Sequence, residues 1–267
     1  MGVNLNKQTI AIAGLGEVGF NVLKELLQKN DIFNIIGIDK DEHKFDRQLP
    51  VQYSTNLDIS ADIFIIDVYS SEEVIDIINS IDYSNRPLIM IESTINPKIC
   101  AKIEKKVANK VYLAYFPHRY NKGDEDHQVF NQKRVLGAFN KESEKRALKF
   151  LSNFMKSDDI IVTSPEIAIL SKLVENSHRF VEIALAEEIA LYCKRNDINF
   201  GELRRCVNSK WNIDMKEARQ GIYSKCLPKD IKIFDAIFKK NLLLKAAMKV
   251  DDKYKLKSNK PEEDYAS

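Results

Sequence analysis

Gln8-Thr9-Ile10-Ala11-Ile12-Ala13-Gly14-Leu15-Gly16-Glu17-Val18-Gly19 is the stretch on which the reading of the fold turns. An apolar run from Gln8 to Ala13 leads directly into three glycines, and a helical pattern follows from Glu17 to Lys29. The spacing gives each glycine a task. Gly14 permits a tight turn, Gly16 lets a pyrophosphate approach the backbone, and Gly19 lets helix and strand pack closely. The helix start then offers free N–H groups and partial positive charge to phosphates. Asp39 ends the next apolar run, where a carboxylate accepts hydrogen bonds from ribose hydroxyls and repels a 2′-phosphate. Strand, glycines, helix and acid in register predict an NAD site formed by Gly14, Gly16, Glu17, Val18, Gly19, Asp39 and Lys40. Lys40 and Lys44 weaken the preference over NADP.

Outward from this turn, short apolar runs alternate with amphipathic helices. Ile35–Ile38, Ile63–Val68, Leu88–Ile91 and Val111–Phe116 read as strands, and Glu72–Ile81 and Pro97–Lys106 as helices. Arg134–Phe139, a helix around Glu142–Met155, and Ile160–Thr163 extend the alternation. Such a pattern predicts a doubly wound α/β domain with a parallel sheet covered on both faces. From Ser164 the strand signal stops. Ser164-Pro165-Glu166 combines an N-cap, a proline at the first helical position and an early acid. Apolar residues then keep a helical period from Ile167 to Leu191, with no Gly or Pro before Gly201. A helix of about thirty residues is about 45 Å long, longer than one small core requires, which predicts that it reaches a second subunit. The expected division is a Rossmann domain over 1–163 and an all-helical domain over 164–267, with a polar, frayed tail from 253 onward.

Composition narrows the function classes. A chain of 267 residues buries roughly 70–75% of its unfolded surface, so it needs no disulfide or metal staple. Forty-one basic residues nearly cancel thirty-nine acidic ones, which argues against a nucleic-acid binder. No apolar run approaches a membrane span, and the first residues lack a secretory core. Cys100, Cys193, Cys206 and Cys226 show no metal-ligand or disulfide spacing. The expectation is a soluble cytoplasmic protein without metal.

Lys172 and Asn176 stand four residues apart early in the long helix, on one face. A cation and an amide placed so can stabilise negative charge on a substrate oxygen. In this company the sequence resembles the UDP-glucose/GDP-mannose dehydrogenase family, most closely its UDP-N-acetylmannosamine dehydrogenase branch. The resemblance is carried by Gly14–Gly19, Glu92-Ser93-Thr94-Ile95-Asn96-Pro97, Phe116-Pro117-His118-Arg119 and Arg134-Val135-Leu136-Gly137. It continues through Lys172–Ser177, Ala184–Ile189 and Ile198–Asn208 to Cys226-Leu227-Pro228-Lys229-Asp230, so that it spans residues 8 to about 245.

The resemblance implies a four-electron oxidation of a nucleotide-sugar alcohol to a carboxylate, with two NAD consumed in turn. It makes Cys226 the nucleophile, acting as a thiolate that flanking Lys225 and Lys229 would stabilise. Lys172 and Asn176 would hold the substrate oxygen, Asp230 would orient Lys172 or a water, and Thr94 would lie near the hydrolytic water. The departures are specific. His118 replaces a family glutamate that acts as base, Ile169 replaces another glutamate, and Ile222-Tyr223-Ser224-Lys225 replaces a glycine-rich run before the cysteine. The carboxy-terminal domain that grips the nucleotide in full-length members is expected to be absent. Two alternatives stay open: a non-catalytic NAD-binding or partner protein, and a two-electron dehydrogenase of a smaller hydroxy acid.

Overall fold

The computed structural model describes residues 7–120, 124, 126–219 and 221–258. The chain divides into two compact units, Met1–Leu170 and Ser171–Ser267. The division falls inside the long helix, a few residues beyond the expected boundary at Thr163.

The first unit contains β1 (Gln8–Ala13), α1 (Glu17–Leu27), β2 (Phe33–Ile38), β3 (Gln52–Ser54), β4 (Ile63–Ile66), α2 (Ser71–Ser80) and β5 (Leu88–Ile91). α3 (Pro97–Val107), β6 (Tyr112–Tyr115), β7 (Arg134–Ala138), α4 (Lys141–Leu151) and β8 (Ile160–Thr163) complete it. The sheet runs in the order β3-β2-β1-β4-β5-β6-β7-β8. Its first six strands are parallel, and their order is that of a doubly wound dinucleotide-binding fold. β4 and β5 are buried at every position, because helices cover both faces of a parallel sheet.

Two features differ from the sequence reading. β3 is an additional edge strand, and β7 pairs antiparallel to β6 before β8 restores parallel pairing. Among the described residues no helix joins β6 to β7, and a connection without a crossover element favours a reversed strand. Helix starts are chemically explicit. Ser70 and Glu73 form a reciprocal capping box on α2, and Asn96 and Asn140 cap α3 and α4.

The core of this unit is aliphatic around Ile10, Ile12, Leu23, Ile65 and Met90. Each such side chain contributes about 1.5–3 kcal/mol on burial. Within it lies an ion pair: the Arg134 guanidinium is 3.1 Å from Glu92, and both side chains are buried. Arg134 also donates to the carbonyls of Phe116 at 2.7 Å and Pro117 at 3.2 Å, and covers the Phe116 ring at 3.7 Å. It thereby ties the chain leaving β6 to the chain leaving β5.

After β8 every regular element among the described residues is a helix. α5 (Pro165–Arg195) begins before the division and is followed by α6 (Phe200–Val207), α7 (Cys226–Ile237) and α8 (Leu243–Ser258). Ser164 caps α5 by accepting from the Ile167 N–H. Phe180, Ala184, Ile222, Leu227, Ile231 and Leu244 make the second unit's core. Residues 253–258, expected to fray, complete α8, and the rest of the expected tail, 259–267, lies outside the described residues.

Arg134→Met leaves the Glu92 carboxylate buried without its partner. It should cost about 3–5 kcal/mol in urea unfolding, and adding Glu92→Leu should recover most of that loss.

Candidate functional site

The glycine turn shows three different uses of a missing Cβ. Gly14 has φ +99°, and a Cβ there would lie 2.1 Å from the Asp67 carbonyl oxygen. A Cβ on Gly19 would lie 1.9 Å from the Gly14 carbonyl oxygen. Gly16 caps α1 with no side-chain bond, and a Cβ there would meet nothing within 4 Å. Gly14 and Gly19 serve the fold, whereas the space at Gly16 is open to a ligand. Glu17 is exposed and Val18 half-buried at the start of α1. The turn lies where strand order reverses, between β1 and β4, the usual ligand crevice of such sheets.

Asp39 faces this turn. Its Oδ2 accepts from the Leu15 N–H at 2.8 Å, its Oδ1 from the Asp41 N–H at 3.0 Å, and Lys44 Nζ lies 2.9 Å from Oδ2. Burial alone would raise its pKa. The bonds from Lys44, Asp41 and Leu15 outweigh burial and hold the carboxyl below its ordinary range, so it is charged at neutral pH. Lys40 does not share this contact: its ammonium is 3.2 Å from Glu73 on α2. Lys44, left out of the expected site, is the lysine that meets Asp39, returned to it by a short turn over Glu42–Lys44.

Thr94 and His118 follow β5 and β6 at the same edge of the sheet, and both are buried. Ser93 fixes the first of these loops by accepting from the Val68 N–H at 2.8 Å. His118 Nδ1 accepts from the Tyr120 N–H at 2.8 Å. That bond makes the neutral ring the Nε2–H tautomer. In this tautomer the Nδ1 lone pair of His118 is engaged by the backbone.

The remaining expected residues belong to the second unit. Asn176 Nδ2 donates to Asp230 Oδ2 at 2.5 Å, joining α5 to α7. Lys172 precedes Asn176 by one turn of α5, and Cys226 precedes Asp230 by one turn of α7. Asp230 is fully buried, and Lys229 Nζ lies 3.8 Å from its Oδ1. The Asp230 carboxylate orients the Asn176 amide. Cys226 is the first residue of α7 and is exposed. Cys100 is its opposite, a buried thiol that burial, with help from Glu104, pushes up to about 12. Among the described residues no group of three or more His, Cys, Asp or Glu could hold a metal ion, and no helix is long and apolar enough to cross a membrane.

The sheet order, the glycine turn and the carboxylate after β2 define the class, a Rossmann-type α/β protein followed by a helical unit. Residues 166–253 match the model of the UDP-glucose/GDP-mannose dehydrogenase family, central domain. A UDP-N-acetyl-D-mannosamine dehydrogenase of Methanococcus vannielii is 27% identical over 259 residues, covering 83% of this chain and 60% of the relative. The Escherichia coli enzyme of the same name is 31% identical over 120 residues, 45% of this chain and 28% of the relative. The chain thus spans about three-fifths of the length of a curated relative that it matches along most of its own length. The UDP-D-ManNAc dehydrogenase structure from Pyrococcus horikoshii superposes with TM-score 0.77 at 22% identity, over 92% of this chain and 68% of that one. A 3-hydroxyisobutyrate dehydrogenase from Mycobacterium tuberculosis shares the fold with TM-score 0.73 at 15% identity, over 93% and 94% of the two chains.

The contrast among the glycines is testable with NADH as a fluorescent probe. Gly16→Ala should leave the unfolding midpoint in place and weaken NADH binding by tenfold or more. Gly14→Ala should cost about 1–3 kcal/mol of stability from the backbone conformation alone, beyond its clash with Asp67.

Proposed function

We propose that the chain is an NAD-dependent oxidoreductase of the nucleotide-sugar 6-dehydrogenase type, taking a sugar hydroxyl to the uronic acid through a Cys226 thioester. The observation that carries this reading is the Asn176–Asp230 bond, with Lys172 and Cys226 each one turn away on the joined helices. Buried Asp230 fixes which face of the Asn176 amide is free. Its accepting role engages the amide N–H, so the site meets a substrate oxygen with Lys172 and the remaining amide donor.

When bound, NAD supplies the hydride acceptor. Gly14, Gly16, Glu17, Val18 and Gly19 would receive the pyrophosphate, and Asp39 would read the adenosine ribose. The charge on Asp39 favours NAD, with Lys44 offsetting part of its repulsion of a 2′-phosphate. In the first oxidation Lys172 and Asn176 would hold the alcohol oxygen while its carbon gives up a hydride and its hydroxyl proton passes to solvent. The Cys226 thiolate then adds to the aldehyde carbon, and the thiohemiacetal oxygen sits against the same two donors. Loss of a second hydride from the carbon of that oxyanion would give the thioester. Water would then cleave it to carboxylate and free thiol, with one proton released to solvent. One alcohol, one water and two hydride acceptors are consumed. The nucleotide sugars in the names of the relatives set the substrate class, and their UDP-N-acetylmannosamine is the first to try.

A homodimer along α5 belongs to the same proposal. Ile167, Val174, Leu185 and Tyr192 are all about half exposed or more, and their spacings of seven, eleven and seven place them on one stripe of the helix. A self-complementary stripe is what an isologous pair requires.

With a nucleotide-sugar panel and NAD, Lys172→Ala should lower turnover a hundredfold or more. Cys226→Ala should still release one NADH equivalent and stop at the aldehyde, while full turnover in Cys226→Ala would point to a two-electron enzyme. No NADH from any sugar or hydroxy acid would favour the non-catalytic alternative. Sedimentation at micromolar concentration should give twice the chain mass, and Val174→Glu with Leu185→Glu should return the monomer.

A further inference from the structure

Carboxyl groups are rarely buried without a partner. Glu187, on α5, is fully buried, and neither of its oxygens has a hydrogen-bond partner among the described residues. The charged groups that act on it are Asp251 and Lys255, both on α8.

Those two groups form a clasp on the chain that leads to Cys226. The Ile222 N–H donates to Asp251 Oδ1 at 2.9 Å, and Lys255 Nζ donates to the Ile222 carbonyl at 3.0 Å. Lys255 Nζ lies 2.6 Å from Asp251 Oδ2 and 4.7 Å from the centre of the Tyr223 ring. Gly221, with φ +108°, lets the backbone pass over the lysine stem, since a Cβ there would lie 2.4 Å from Lys255 Cγ. Tyr254 donates to the Arg219 carbonyl at 2.8 Å just upstream. One carboxylate and one ammonium therefore hold both backbone groups of a residue four positions before Cys226.

We propose that Glu187 makes this clasp proton-dependent: it closes over a neutral Glu187 carboxyl and opens as that carboxyl ionises. With Glu187 neutral, Asp251 and Lys255 balance each other and both bonds to Ile222 persist. Ionised, Glu187 sets a second buried negative charge against the same ammonium, and competes with the Ile222 carbonyl and Asp251 for Lys255 Nζ. Burial, followed by the charge of Asp251, pushes the Glu187 carboxyl up to about 7 against the pull of Lys255. A carboxyl raised in the closed form binds its proton more tightly there than in the open form. Closure is therefore favoured most at low pH, weakens as pH rises from the ordinary value of 4.5 to about 7, and changes no further above that. Glu187 is a positioning residue for the segment before Cys226. Only its consequence for Cys226 rests on the proposed function, because the clasp needs no substrate.

The test is amide hydrogen exchange at Ile222 in the full chain by NMR, corrected for intrinsic rate, between pH 5 and 8. Protection should fall by about tenfold or more, levelling near pH 7, and Glu187→Gln should abolish the fall. The same pH step in Glu187→Gln, or no step in the unmodified protein, overturns the proposal. Should Glu187→Gln fail to fold, Asp251→Asn removes the like charge and should bring the levelling to lower pH; an unmoved plateau counts against the idea equally. Iodoacetamide labelling of Cys226 supplies the second reading. At pH 7.5 the unmodified protein should react faster than Glu187→Gln, and at pH 5 the two should match. A clasp that titrates in a protein that oxidises no nucleotide sugar would keep this inference and discard the reading of Cys226 as nucleophile.

Discussion

At the carboxyl end of β1 backbone touches backbone, and the dinucleotide-binding half of the molecule depends on that contact. The Gly14 turn lies against the Asp67 carbonyl, and Gly19 of α1 lies against the Gly14 carbonyl, at separations that no Cβ could enter. The start of α1 is therefore pinned directly above the gap between β1 and β4. The Leu15 N–H consequently reaches Asp39, which links the turn to the end of β2. A helix N-terminus, an open glycine and a charged carboxylate come together because three backbones meet without side chains between them. Wherever one of those Cβ atoms is restored, the helix has to move, and the geometry offered to a phosphate moves with it.

Buried charge organises the rest of the candidate site, and its compensation differs from place to place. Asp39 is matched by two backbone N–H groups and an ammonium, so it remains ionised beside solvent. Glu92 is matched by Arg134, whose other hydrogen bonds go to the carbonyls just before His118. That pair makes the Thr94 and His118 loops one mechanical object. Asp230 is matched by the amide of Asn176, which turns a carboxylate into an orienting group. An uncompensated charge in any of these places costs several kcal/mol. Retaining them in a core of this kind is explained by the geometry they impose on neighbouring loops.

The parts legible in the sequence were those set by local chemistry. The glycine spacing, the apolar strands flanking it and the Ser164-Pro165 start of α5 depend on near neighbours, and the observed elements follow them closely. β3 escaped because Gln52-Tyr53-Ser54 has no apolar run and pairs only with β2 at the sheet edge. The reversal of β7 escaped because periodicity fixes which face a strand buries but says nothing of its direction. Lys40 and Lys44 could not be ranked from spacing, since a turn carries the more distant one back to Asp39. Pro228 lies in the first turn of α7, where proline is tolerated, and α7 begins at Cys226 itself. The tautomer of His118 depends on one backbone N–H two residues away, a bond invisible without the fold.

The segment before Cys226 is where this chain departs most from the glycine-rich run of the family it resembles, and the structure gives that departure a physical meaning. Ile222 is buried among Phe180, Leu227, Ile231 and Leu244, a contact of about 1.5–3 kcal/mol that a glycine cannot make. Tyr223 stays exposed beside Lys255. Gly221 alone keeps the left-handed turn that the chain needs to cross the lysine stem. A glycine run gains close approach to a ligand by giving up side-chain anchorage. This segment takes the opposite course: its position is set by an aliphatic anchor and by bonds to α8, and its freedom passes from the backbone to the charges that hold it. The start of α7, and Cys226 with it, is thereby referenced to the core of the helical unit, so the reach of the thiol is governed by what α5 and α8 do to Ile222.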